Sequence, residues 1–125
     1  MNIHHVGYVV KDIDRYSQSM PGLSNVRKVE DPVQRATLAL YAVGTGCCVE
    51  LIQPHDEQAY TWGHLQRSGE GMHHVCYEGL DAQGVDQLIA AHRMLKVLGP
   101  VHAVLFDRPV VFAVTRSRSI VEFLL

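Results

Sequence analysis

The chain has no excess of basic residues, no CxxC pair, no long apolar run and no leader-like start. Eleven Lys and Arg against thirteen Asp and Glu leave a net charge of -2, which argues against nucleic acid or an anionic membrane as the partner. The three cysteines, Cys47, Cys48 and Cys76, cannot all pair, and without CxxC spacing they form no zinc knuckle or dithiol redox motif. They read as reduced, small apolar residues of a cytoplasmic protein. No apolar run approaches the roughly 18–20 residues that a membrane helix needs. The opening Met1-Asn2-Ile3-His4-His5 shows no basic segment followed by an apolar one, so no secretory signal is expected. What is present is a globular composition, 47% hydrophobic against 19% charged, in a length that suits one domain or two very small modules sharing a core. There are also eight His, four of them in the adjacent pairs His4-His5 and His73-His74, which directs attention to metal or proton chemistry.

The pairs belong to a repeat. His4-His5-Val6-Gly7-Tyr8 recurs 69 residues later as His73-His74-Val75-Cys76-Tyr77, and Val49-Glu50-Leu51-Ile52 recurs 72 residues later as Val121-Glu122-Phe123-Leu124. Two matches in the same order at nearly the same offset divide the chain into modules of about 1–55 and 72–125. In the first, Ile3–Val10 reads as a strand, Asp12 caps a helix to about Met20, and Val26–Val29, Arg35–Val43 and Cys47–Gln53 read as strands. In the second, Met72–Tyr77 is a strand and Asp81 caps a longer helix carried to Gly99-Pro100 by apolar Val85, Leu88, Ile89 and Leu95. Val101–Leu105, Val110–Val114 and Ser119–Leu124 then complete a second β-α-β-β-β order. A helical linker over 56–71 joins the two. The fold class is therefore α+β, two tandem βαβββ modules.

Alternation along a strand puts His5 on one face with Gly7 and Val9, and His4 on the other with Val6 and Tyr8. His73 likewise opposes His74, so His4 and His73 are expected to pack away from the site. If the modules are related by a pseudo-twofold axis, His5 meets His74 and Glu50 meets Glu122. A carboxylate flanked by Val49 and Leu51, or by Val121 and Phe123, costs several kcal/mol to bury unpartnered. A metal supplies the partner. Two imidazoles and two carboxylates suit one divalent Ni, Co, Mn, Fe or Zn ion with open positions for substrate.

The segments His4 to Ile13, Val49 to Pro54, Gly69-Glu70-Gly71-Met72-His73-His74-Val75 and Val121-Glu122-Phe123 resemble the vicinal oxygen chelate superfamily, the glyoxalase and bleomycin-resistance fold. Within it the pattern is most similar to methylmalonyl-CoA epimerases. The resemblance implies one domain over 1–125, with a cupped mixed sheet around a divalent metal held by His5, Glu50, His74 and Glu122. It also implies a homodimer, and an enzyme that transfers a proton next to a carbonyl, as an epimerase, isomerase or glyoxalase I-like lyase. Glu122 would then serve as both ligand and proton carrier, and an acyl-CoA becomes a candidate among small-molecule substrates.

One departure bears on the activity. The epimerases carry a glutamate after a proline in a Pro-Glu-x-Gly pattern, and here the stretch is Pro32-Val33-Gln34-Arg35. Val33 cannot move a proton, and Glu30 and Asp31 are the acids nearby. The first helix is also about one turn short, and the last hairpin, Thr115 to Ser119, is short and lacks glycines. Two alternatives therefore stand beside the epimerase reading: a non-catalytic small-molecule binding or resistance protein of the same fold, and a pathway-specific enzyme with an unrelated substrate. Bland readings suffice for His55, His64 and His102 as solvated connections, and for Arg116 and Arg118 as a solvated edge.

Overall fold

The computed structural model describes residues 1–125. The elements in order are β1 (Asn2–Val9), α1 (Ile13–Ser19), β2 (Leu23–Asp31), β3 (Ala36–Val43), β4 (Cys48–Pro54), α2 (Trp62–Ser68), β5 (Gly71–Glu78), α3 (Ala82–Ala91), β6 (Leu95–Ala103), β7 (Arg108–Val114) and β8 (Ile120–Leu124). All eight strands form one curled mixed sheet in the order β2-β3-β4-β1-β5-β8-β7-β6. The order is the same read from either end if β1–β4 exchange with β5–β8. β1 runs parallel to β4, β5 runs parallel to β8, and the antiparallel pairing of β1 with β5 joins the two halves.

α1 and α3 each begin where a side chain replaces a missing backbone partner. Asp12 Oδ1 accepts from the Arg15 N–H at 2.8 Å, and Asp81 Oδ1 accepts from the Gly84 N–H at 2.8 Å. α1 and α3 then cover one face of the sheet. Ile13 of α1 packs with Val10, Ala39, Tyr41, Val49 and Leu51, while Val85 and Ile89 of α3 pack with Val111, Ala113, Val121 and Phe123. Fully burying such side chains contributes about 1.5–3 kcal/mol each. Because side chains alternate, Val49 and Leu51 on the helix side turn Glu50 to the opposite, inner face, and Val121 and Phe123 do the same to Glu122. On the inner face Val9, Leu38, Leu40 and Ile52 are capped by Leu65 of α2 and Leu105 of the β6–β7 turn.

Three boundaries differ from expectation. α3 stops at Ala91, with His92 as its cap, rather than continuing to Gly99-Pro100. Arg93 adopts φ 52°, which takes the chain out of the helix, and Leu95 pairs with Val114 at the start of β6. Gly99 and Pro100 consequently lie inside β6, at an irregularity between Leu98 and Val101. β2 extends well beyond Val26–Val29, since its pairing with β3 carries polar residues into the ladder. Between β4 and β5 only Trp62–Ser68 is α-helical. No helix is long and apolar enough to cross a membrane.

Candidate metal centre

β1, β4, β5 and β8, the four central strands, each contribute one side chain to a single point. His5, Glu50, His74 and Glu122 are all buried, and one ligand atom from each lies within 4.8 Å of the others. Register explains the convergence: Gly7 of β1 stands opposite both Glu50 of β4 and His74 of β5. A Cβ built on Gly7 would fall inside the His74 ring, so the imidazole occupies the space that glycine leaves. At the equivalent place in the second half, Cys76 pairs with His5 on one side and Glu122 on the other. Its thiol is pushed upward by burial and by the nearby carboxylates, so it remains protonated.

His5 Nε2 lies 3.1 Å from His74 Nε2, 3.3 Å from Glu50 Oε2 and 3.2 Å from Glu122 Oε2. His74 Nε2 lies 3.3 Å from Glu50 Oε2 and 3.1 Å from Glu122 Oε2. Without a cation these groups must share protons. Burial lowers the basicity of His74, but Glu122 and Glu50 outweigh it and carry the group to about 10. Burial lowers His5 too, and the same two carboxylates bring a net rise. Burial raises Glu50 and Glu122, while the two imidazoles hold both below the usual carboxylate range. Even so, Glu122 Oε2 is buried with no aligned hydrogen-bond donor. Its partners lie close by distance but do not point a hydrogen at it.

That orphaned oxygen tests the site for a metal. Five of the six donor–donor separations are 3.1–3.3 Å and the sixth is within 4.8 Å, spacings that one first-row divalent ion on nitrogen and oxygen donors can span. The donor set fits. Four such donors could hold one divalent cation, and no thiolate is among them.

His4 and His73 do not face away. In the β1–β5 ladder His5 follows Ile3 in pairing, and Met72 follows His74, so His4 and His73 are the bulged residues. A bulge re-aims its side chain and breaks the two-residue alternation on which the expectation rested. His4 Nδ1 sits 2.8 Å from His5 Nδ1, and His73 Nδ1 sits 3.0 Å from His74 Nδ1. Burial, with His74 and His64 next, depresses His73 to about 3, and burial also lowers His4. His64 is on α2 with its ring edge-on to His73, at a centroid distance of 4.7 Å, rather than in a solvated connection. His102 lies on β6. Phe106, in the β6–β7 turn, stacks on His5 at 5.0 Å between centroids, and no sequence pattern pointed to it.

A cavity of about 250 Å³ opens beside the centre. Val33, Tyr60, His73, Val101, Phe112 and Ile120 are among its walls. Phe112 links it to the ligands, pairing with Glu122 across β7–β8 and packing edge-on against His74 at 5.8 Å. Val33 lies on its rim, exposed. Asp31 also lines it, but its oxygens accept from the Val33 and Gln34 N–H groups and from Gln34 Nε2, which closes the β2–β3 turn. Glu30 is occupied by Thr37 Oγ1 and His55 Nε2. Neither acid is free to stand in at Val33.

No curated protein matches the sequence. A family profile described as the Glyoxalase/Bleomycin resistance protein/Dioxygenase superfamily matches residues 4–112, a span that includes His5, Glu50 and His74 and ends before Glu122. Among solved structures, a hypothetical protein from Bacillus halodurans is similar, with a TM-score of 0.87 and 20% identity over 98% of this chain and 92% of that one. A methylmalonyl-CoA epimerase from Mycobacterium tuberculosis gives 0.84 at 20% identity over 98% and 85% of the two chains. A Streptomyces coelicolor methylmalonyl-CoA epimerase variant in complex with 2-nitronate-propionyl-CoA gives 0.83 at 17% over 99% and 96%. At these identities the likeness is one of fold.

Proposed function

The chain belongs to the Glyoxalase/Bleomycin resistance protein/Dioxygenase superfamily, and from that premise we propose that it is a divalent-metal-dependent enzyme moving a proton next to a carbonyl. The observation that carries this is the convergence of four buried donors around one point, with no hydrogen bond aligned on the Glu122 oxygen. His5, Glu50, His74 and Glu122 would hold the ion. When bound, a divalent cation supplies Lewis-acid stabilisation of the oxygen that gains negative charge as the proton leaves.

The rest falls to the chain. Glu122 takes and returns the proton, being the carboxylate whose strand borders the cavity through Ile120 and whose cross-strand partner, Phe112 of β7, also lines it. Phe112, Val114 and Ile120 give that side of the cavity an apolar wall. With Val33 at the rim and Asp31 and Glu30 already hydrogen-bonded, no carboxylate stands at the place opposite Glu122 where the epimerase pattern puts its second acid. A same-face proton shift, as in an isomerase or lyase, fits this better than inversion. An acyl-CoA is the first substrate to try, because structural neighbours are methylmalonyl-CoA epimerases captured with such ligands. The absence of a second acid supports another reading as well, a binding protein that uses the cavity without chemistry. We read residues 1–125 as one domain of two modules acting as a homodimer, supported by exposed Leu95 on edge strand β6. Three free cysteines support a reducing, cytoplasmic setting.

Elemental analysis of the purified protein, beside His5→Ala and Glu122→Ala, tests the centre. Stoichiometric divalent metal in the unsubstituted chain and its loss in both variants are expected; a metal-free unsubstituted chain would sink the proposal. Incubation of the loaded protein with methylmalonyl-CoA in deuterated water should place deuterium on the carbon next to the thioester. No exchange there, with metal present, rules out this substrate and favours the binding reading.

A further inference from the structure

The two bulges in the β1–β5 ladder occur at His4 and His73, each immediately before one of the two imidazoles of the centre. Both do the same thing. His4 Nδ1 approaches His5 Nδ1 at 2.8 Å with the rings at 83°, and His73 Nδ1 approaches His74 Nδ1 at 3.0 Å with the rings at 90°. A pair of edge-on rings with nitrogens at this separation shares one hydrogen, so one Nδ1 donates and the other accepts. Which one donates is settled by the other end of the ring. His5 and His74 both turn Nε2 inward, 3.1 Å from each other and within 3.3 Å of the Glu50 and Glu122 oxygens. A nitrogen that presents its lone pair to a cation leaves the proton on the remaining nitrogen.

We propose that His4 and His73 are positioning residues: each accepts a hydrogen bond from the Nδ1–H of its neighbour and so fixes the tautomer and ring orientation in which His5 and His74 offer Nε2 to a divalent cation. This rests on the metal-centre reading above. Metal-bound imidazoles are held from behind by a hydrogen-bond acceptor as a rule, and carboxylates or carbonyls usually fill that place. Here a second imidazole fills it, twice, because each bulge turns the residue before the ligand back toward the ligand's face. The accepting rings are themselves held. Phe106 packs edge-on against His4 at 5.2 Å between centroids, and His64 packs edge-on against His73 at 4.7 Å. His73 in addition lines the cavity, so a molecule bound there touches the residue that orients His74.

Zinc is the probe for the test. Chelator competition on the full chain should show His4→Ala and His73→Ala binding Zn(II) about 10–100-fold more weakly than the unsubstituted protein. His4→Asn and His73→Asn place a carbonyl oxygen where the accepting nitrogen was and should recover most of the loss, which a merely structural defect would not. Nitrogen-15 correlation spectra of the zinc-loaded unsubstituted protein give an independent readout that needs no variant to fold. His5 and His74 should carry their proton on Nδ1, and His4 and His73 on Nε2. Alanine variants within twofold of the unsubstituted affinity, or a proton on Nδ1 of His4 and His73, overturn this inference alone. Failure of the unsubstituted chain to bind zinc or any other divalent ion overturns the metal reading and this inference with it.

Discussion

Gly7 shows what a single missing side chain contributes. It stands between Glu50 and His74 in the sheet, and any Cβ there would collide with the His74 ring. Gly7→Ala must therefore push an imidazole out of a packed interior, a change of the kind that costs about 1–3 kcal/mol. Urea unfolding should show that loss, together with weakened metal binding; unchanged values would mean that the His74 ring moves aside freely. The ligands themselves make stability depend on pH in the chelated protein. His74 is carried to about 10 in the fold because Glu122 and Glu50 outweigh the effect of burial. Its contribution is thus complete below the ordinary histidine value of about 6.5 and is lost as pH rises toward the folded value. Glu50 and Glu122 are held below their ordinary range, so their contribution is present above about pH 4.5 and lost in acid. Chelated protein should therefore unfold at lower urea concentration near pH 10 than near pH 6.5. Metal-loaded protein should lack this alkaline decline, since its imidazoles carry no such proton.

At the scale of elements, the β2–β3 hairpin decides what chemistry the cavity can perform. Asp31 spends its carboxylate closing the turn, and the turn holds Val33 out at the cavity rim. Val33 is exposed, so replacing it should leave stability within about 0.5 kcal/mol. Val33→Glu should add a proton carrier at that rim, and chiral analysis of methylmalonyl-CoA should then detect faster inversion than with the unsubstituted protein. If the variant takes up metal yet gives no inversion, the rim does not face the reacting carbon. The caps at Asp12 and Asp81 and the alternation around Glu50 and Glu122 were readable because each depends on neighbours within a few residues. The end of α3 was not: Leu95 has helical spacing from Leu88 but finds a partner in Val114, and that pairing overrides local preference.

For the whole molecule, the sheet order places the proposed metal centre where its two halves meet. The four donors come from β1 and β4 on one side of the β1–β5 seam and from β5 and β8 on the other. A cation bound there ties the halves together, and by mass action a site filled at 100 times its dissociation constant adds about 2.7 kcal/mol of stability. For a chain of this size that is a rise in unfolding temperature of roughly 10 °C. Calorimetry with and without chelator measures it. No shift would show that the cation binds the folded and unfolded chains alike, contrary to a site assembled only by folding.

The sequence alone determined the repeat, and with it the α+β class and the identity of the four side chains brought together, because duplication places like residues at like positions and strand alternation sends them to one face. The tertiary structure alone decided the environment of those side chains. The bulges that turn His4 and His73 toward the ligands arise from how β1 meets β5, a pairing between residues about 70 positions apart. Phe106 reaches His5 because the β6–β7 turn folds back over the sheet. Gly7 matters because of a ring on another strand. Local rules govern which way a residue points along its own strand; what it then touches is set by the partner strand and the loops that cover it.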